Sequence, residues 1–250
     1  MQGNTDLHRQ YPIPNGPWVM HQTWERVLFA HWPVAAPLLA SKLPPAVALD
    51  TFDGHAWLSL VLLLVSDLHP RYMPPIPGAS AFAQANVRTY VSKDGRPGVW
   101  FFRLDANSPL AVALARRFFH LPYYRATIKT EQRDDATHFS LSRGRLKHPV
   151  QTLTCDYRPA SPVFEATRGS LESWLTDRYC LYTSYAGRLY RSDIHHTPWE
   201  LQKAKAHWTH NTLFPDCGAF AATPPLLHFA KCKGVHVWAP VEADSHTHPL

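Results

Sequence analysis

Four polar residues spaced two apart, Gln84, Asn86, Arg88 and Tyr90, alternate in the segment FAQANVRTYV (82–91) with Ala83, Ala85, Val87, Thr89 and Val91. On a β-strand, residues two apart share a face. A guanidinium flanked by two amides and a phenol is equipped to hold a carboxylate or an enolate, with Arg88 supplying charge-assisted hydrogen bonds and the amides fixing orientation. The row contains no acid, so an inward-facing Arg88 needs a ligand anion or solvent as its partner. The same row would equally suit an ordinary solvent-facing strand.

Other residue types with reactive potential are less well placed. The 16 histidines are densest at His195–His196 and at His207 and His210. Neighbours on a strand face opposite ways, His207 and His210 converge only on a helix, and no carboxylates accompany them at ligand spacing, so neither a metal nor another cofactor is expected. Cys155, Cys180, Cys217 and Cys232 form no C-x-x-C pair, which excludes a zinc knuckle or dithiol motif and suits reduced structural thiols in a cytoplasmic protein. There is no Gly-rich phosphate loop. The formal charge is +6, but the basic clusters, Arg143, Arg145, Lys147 and His148, and then Arg116, Arg117 and Arg125, are small. That is a weak nucleic-acid footprint.

The elements that must position these groups are short and mostly extended. With 23 Pro against 11 Gly, 45% hydrophobic residues and nine Trp, the chain reads as a globular, sheet-rich protein rather than a helical bundle. The longest strongly apolar run, 58–65, is far below the roughly 20 residues of a membrane-spanning helix. Trp24, Val27 and Leu28 suggest a helix over 20–30 and Pro33 begins a second over 33–42. Strands are predicted over 46–52 and 55–65 across Asp53-Gly54, and over 81–91 and 99–104 across a turn at 93–98, with a Pro-rich loop at 69–80 between the two hairpins. Ser108 caps a helix over 109–119, ended by Leu121-Pro122, and Ser170 caps another to 177. Strands over 123–130, 137–142, 152–157, 179–185, 188–194, 226–230 and 235–238 complete the sheet; 197–200 fits either a capping box or a strand start. A single domain over 1–250 is expected, with a Pro-rich lead at 1–17 and a loose His/Pro-rich tail at 244–250.

Several phrases together resemble the YqjF-like family of uncharacterised proteins, the domain of unknown function numbered 2071: WERVLFAHWPV (24–34), LDTFDGHAWLSLV (49–61), FAQANVRTYV (82–91), GRPGVWFFRLDA (95–106), ARRFFHLPYYRA (115–126), LTDRYCLYT (175–183) and IHHTPWELQKA (194–204). The resemblance covers nearly the whole chain. It implies the acetoacetate-decarboxylase-like fold: mainly β (α+β), an antiparallel β-barrel or cone enclosing a ligand pocket, with a few helices packed outside.

The same resemblance fails at the decarboxylase chemistry. That enzyme carries an R-E-x-x-x-x-P-K-K segment whose first Lys forms a Schiff base with the keto acid while the second lowers its pKa. Here Arg116 and Pro122 match, Arg117 replaces the Glu, and Tyr123 and Tyr124 stand in place of the lysines. A phenol cannot form an imine. Gln84 likewise occupies a position where the family usually has Glu, removing the obvious general base. The resemblance implies that the Gln84 position points inward, so the expected ligand-binding set is Gln84, Asn86, Arg88, Tyr90, Arg116, Tyr123 and Tyr124. Because Tyr123 and Tyr124 are adjacent, only one faces the pocket; Tyr123 is the candidate catalytic group. The function expected is a binder of a small anionic or aromatic molecule. The alternative is a lyase, hydratase or isomerase acting on an enol or keto acid without a Schiff base. Neither membrane nor nucleic acid is an expected partner, and a homo-oligomer is left open.

Overall fold

The structure is a computed structural model that describes residues 8–145, 148–213 and 223–243. The chain begins with β1 (Met20–Val34), a short helix α1 (Ala36–Ala40) and the two-residue β2 (Ala48–Leu49). β3 (Ala56–Pro70), β4 (Phe82–Lys93) and β5 (Arg96–Ala106) lead into helix α2 (Pro109–Phe119). β6 (Tyr123–Arg125), β7 (Thr127–Arg133), β8 (Ala136–Arg145) and β9 (His148–Pro159) follow. The C-terminal part holds β10 (Phe164–Glu165), α3 (Leu171–Thr176), β11 (Cys180–Tyr185), β12 (Arg188–His195), β13 (Glu200–Asn211), β14 (Leu226–Val237) and β15 (Val241–Glu242). No helix among the described residues is long and apolar enough to cross a membrane.

Pairing runs in the order β15-β12-β11-β5-β4-β3-β1-β14-β13-β9-β8-β7, and an additional pairing of β12 with β14 closes β12-β11-β5-β4-β3-β1-β14 into a circuit. Every ladder is antiparallel except β5–β11 and β5–β6. Two-residue left-handed turns make the tight connections: Asp94 and Gly95 (φ 50° and 74°) join β4 to β5, and Ala186 and Gly187 (φ 50° and 77°) join β11 to β12. Such turns match the right-handed twist of the strands they connect.

Two cores result. Leu60, Leu62, Ala85, Ile128, Phe139, Leu153 and Tyr157 fill the space between the circuit and the β7–β8–β9 layer. On the opposite face, Val27, Phe29, Val61, Leu104, Tyr123 and Trp199 cluster together. Phe101 and Leu121 join them to Tyr90, Val99 and Leu181, and Met20 and Trp24 join them to Ile194 and Val235. All strands of the circuit contribute to this second, buried face. β4 lies between the two cores and is buried from Phe82 to Val91. Its period-two alternation therefore separates two buried faces, not a wet one from a dry one.

α2 and α3 form as read, with the Ser108 and Ser170 hydroxyls accepting from the amides of Ala111 (3.2 Å) and Ser173 (3.3 Å). The helix expected over 20–30 is instead β1. Arg26 sits in a bulge (φ 49°) between Glu25 and Leu28, and the change of side there lets strand residues imitate a helical i, i+3, i+4 stripe. The helix over 33–42 contracts to α1, and the strand over 46–52 to β2, which pairs with β4 rather than β3. Asp53-Gly54 still turns left-handed, closing only the Phe52–His55 bridge. The strand over 123–130 is two strands, β6 beside β5 and β7 in the second layer. The alternative of a strand after 199 holds, as β13, and the strands over 226–230 and 235–238 are one strand, β14. The tail at 244–250, Lys147, Cys217 and the first seven residues of the lead lie outside the described residues.

Candidate functional site

Antiparallel partners share a face, and the registers of three ladders assemble lateral rows. Arg88 of β4 lies opposite Ser59 of β3, which lies opposite His31 of β1. One row along, Asn86 faces Val61, Val61 faces Phe29, and Phe29 faces His228 of β14. Gln84 completes the strand, and β6, parallel to β5, brings Tyr123 over it: the Tyr123 hydroxyl donates to Gln84 Oε1 at 2.7 Å. Burial raises the Tyr123 pKa above the ordinary phenol value. The group stays protonated and remains a donor.

A hydrogen-bonded chain ties the other end together. Tyr90 donates to the Leu175 carbonyl at 2.9 Å, its hydroxyl meets Ser59 Oγ at 2.8 Å, and Ser59 Oγ lies 2.6 Å from His31 Nδ1. Arg88 donates from Nη2 to the same Leu175 carbonyl at 3.3 Å, and its guanidinium lies 5.8 Å from the Phe29 ring centroid. Burial, reinforced by His228 and Arg88, holds the His31 pKa well below the ordinary imidazole value, and burial also lowers that of His228. Both rings are neutral. Four polar atoms here are buried without a hydrogen-bond partner: Asn86 Oδ1, Arg88 Nε, His31 Nε2 and His228 Nδ1.

Gln84, Asn86, Arg88, Tyr90 and Tyr123 thus lie on one buried face. Tyr124 and Arg116 do not join them. Tyr124 points to the other side of β6, as the adjacent residue on a strand must, and its ring is surrounded by Arg143, Arg116 and Arg103 at 4.5, 5.5 and 5.8 Å. Arg116 donates from Nε to the Tyr123 carbonyl at 2.6 Å, bracing the backbone of β6. His31, Ser59 and His228 escaped sequence reasoning. Their grouping follows from the registers of β1 with β3 and β14, and the helical reading of 20–30 hid the strand that carries His31.

Lys233 is the one buried lysine among the described residues, opposite Trp24 across the β1–β14 ladder. Its ammonium donates to Pro198 O at 2.6 Å and Thr197 Oγ1 at 3.1 Å. Burial lowers its pKa, but both acceptors favour the charged form, so the amine is not offered as a free nucleophile. His196 is buried with a pKa pulled down to about 3 by desolvation, and His207 and His210 are exposed on β13. Two surface hollows, of about 70 Å³ beside Phe52, Trp174 and Asp177 and about 470 Å³ over Lys129, Ser140 and His210, are lined by none of the row's residues, although Trp174 of the first packs on Tyr90 with ring centroids 4.5 Å apart.

Among known proteins, residues 21–234 match the family DUF2071, described as an uncharacterized conserved protein. The chain is 46% identical over 227 residues to the uncharacterized protein YqjF of Bacillus subtilis strain 168, covering 90% of this chain and 93% of that one. Solved structures resemble it at much lower identity. The enduracididine biosynthesis enzyme MppR, complexed with pyruvate, gives a TM-score of 0.62 at 12% identity over 91% of each chain. Acetoacetate decarboxylase from Legionella pneumophila gives 0.60 at 11% over 98% of each. At these identities the likeness establishes an acetoacetate-decarboxylase-like fold, mainly β with few helices. Matched over most of its length by both the family and the Bacillus protein, the chain belongs to the DUF2071, or YqjF-like, family.

Proposed function

We propose that the buried face binds a small carboxylate, with Arg88 as its anchor and Asn86, Gln84 and Tyr123 as neutral groups that orient it. The observation that carries this reading is an arginine only 8% exposed, with a single long hydrogen bond, an unpartnered Nε and no ion-paired acid among the described residues. A buried cation in that state is costly unless a ligand supplies the missing charge. MppR, whose structure contains pyruvate, gives the size and class of molecule to try first. The chemistry on this face differs from a Schiff-base enzyme, because Tyr123 stands where an amine would be needed. Buried thiols at Cys155 and Cys180, kept protonated by desolvation, fit a reducing, cytoplasmic compartment.

The test is calorimetric titration of pyruvate, acetoacetate and pyruvamide into wild type, Arg88→Ala, Arg88→Lys and Gln84→Glu. The two acids should bind wild type and the neutral amide should not. Losing a charge-assisted hydrogen bond of about 1.5–3 kcal/mol should weaken the acids by roughly 10- to 150-fold in Arg88→Ala, with part of the affinity recovered in Arg88→Lys. Gln84→Glu places a negative charge roughly 7 Å along the same face and should weaken them as well. Equal responses from all four folded proteins, or preference for the amide, would remove Arg88 from the site.

One observation favours a second reading, an enzyme acting on a keto or enol acid. With His31 donating from Nδ1, the chain His31–Ser59–Tyr90–Leu175 carbonyl runs head to tail and leaves Nε2 of a neutral imidazole as a free acceptor beside Arg88. That pair could remove an α-proton and stabilise the enolate. Incorporation of deuterium from D₂O into the pyruvate methyl group, followed by NMR, decides it. Exchange faster than buffer and lost in His31→Gln supports the enzyme; exchange at the buffer rate leaves the binder.

A further inference from the structure

Away from the buried face, three imidazoles and a carboxylate meet on three neighbouring strands. His21 of β1 is the cross-strand partner of both His69 on β3 and His236 on β14. The rings form a row, with the His21 centroid 5.2 Å from that of His69 and 5.1 Å from that of His236. Asp67 enters this row through a bulge: the β1–β3 register shifts between His21 and Thr23, and Asp67 takes a left-handed backbone (φ 49°). Bulges of this kind re-aim a side chain that strand alternation alone would send elsewhere.

The distances do not describe an ordinary His–Asp pair. Asp67 Oδ2 lies 3.7 Å from His21 Nε2 and 4.0 Å from His69 Nε2, between two rings and beyond hydrogen-bonding distance of either. Candidate ligand atoms of His21, Asp67 and His69 all lie within 4.8 Å of one another. Tetrahedral bonds of about 2.0–2.1 Å separate ligand atoms by roughly 3.3 Å, so the carboxylate contacts need close by only about half an ångström. The tautomer of His69 is also preset. Its Nδ1 lies 3.0 Å from the Pro70 carbonyl, so the proton resides on Nδ1 and the Nε2 lone pair faces Asp67, the usual outer-sphere arrangement of a metal-bound histidine. His236 stacks on Trp18 at 4.7 Å and walls one side. Thr23 Oγ1 lies 3.5 Å from His21 Nε2. Asp67 is 52% exposed, which leaves an entry path.

We propose that His21, His69 and Asp67 form a three-ligand site for a zinc-class divalent cation, with a remaining coordination position open to water. Two imidazoles and one carboxylate suit zinc and its neighbours better than the all-oxygen preference of calcium or magnesium. The site is illegible in the sequence, since His21 lies 46 and 48 residues from Asp67 and His69 and the expected loop over 69–80 begins at His69, where β3 in fact continues to Pro70.

The experiment is calorimetric titration of Zn²⁺ into the tag-free full chain, with Co²⁺ as a spectroscopic substitute. Wild type should bind one Zn²⁺ per chain, and the Co²⁺ form should show visible d–d absorption that added Zn²⁺ abolishes. Asp67→Asn and His69→Ala should each weaken Zn²⁺ by at least roughly tenfold while melting like wild type in chelator; His207→Gln, an exposed histidine on β13, should leave affinity unchanged. If His69→Ala fails to fold, Asp67→Asn alone decides. No Zn²⁺ binding by wild type, or undiminished binding by Asp67→Asn, overturns the site.

Discussion

Asp105→Ala should lower the unfolding free energy by about 3–5 kcal/mol, the cost of breaking a buried ion pair from one side. The Asp105 side chain is completely buried on β5, between β4 and β6. Arg103 grips it with Nη2 donating to Oδ1 at 2.9 Å and Nε 2.8 Å from Oδ2, and Arg143 Nε lies 3.5 Å from Oδ1. The two guanidiniums are joined again by Gln151, whose Oε1 accepts from both. Removing the carboxylate leaves two closely spaced cations, one of them 9% exposed, that share the Gln151 amide oxygen without the anion beside it. Asp105→Asn retains an acceptor and should lose less. The damage should also reach the candidate site, because this cluster packs on Tyr124 and so anchors the strand that presents Tyr123. Urea unfolding measures the first effect. A loss under about 0.5 kcal/mol, as for an unremarkable surface position, would show that the network contributes nothing net.

What could be read from the sequence divides along the range of the interactions. Ser108 followed by Pro109 specifies a helix start within four residues, and the helix runs over the predicted 109–119. Left-handed turns at Asp94-Gly95 and Ala186-Gly187 are equally local. The helical expectation for 20–30 fails because the stripe of Trp24, Val27 and Leu28 spans a bulge, and because residues Val27 to Ala30 are buried on both faces, which removes the alternation that marks a strand. The site follows the same division. The Gln84–Tyr90 row could be read within one strand by its period of two. The approach of Tyr123 to Gln84 came from the resemblance to a known family and not from any local pattern. His31, His228 and the His21–Asp67–His69 group depend on cross-strand register between distant segments, which no window along the chain contains.

Gly98→Ala tests the long-range part of the fold directly, and should destabilise it by about 3 kcal/mol, at the upper end of what overpacking usually costs. Gly98 is not needed for a left-handed turn; it is needed for close approach. A Cβ there would lie 2.7 Å from Cys180 Sγ, 2.9 Å from the Cys180 carbonyl oxygen and 2.9 Å from Tyr182 Cε2. Two of these neighbours are side-chain atoms, but the carbonyl oxygen belongs to β11 and can retreat only if the strand does. β11 joins β5 through just two residue pairs, Leu181–Val99 and Tyr182–Trp100, and the other closing contact, β12–β14, is also only two pairs long. Gly98 therefore sits at one of the two short seams that close the circuit around Arg88. Cys180→Ala should relieve the sulfur contact and recover part of the loss in the double variant, while the carbonyl contact persists. Thermal and urea unfolding of the two single variants and the double variant separate these contributions. Wild-type stability in Gly98→Ala would mean that β5 and β11 are not held at the spacing the ladder requires, and that the buried face has another means of closure.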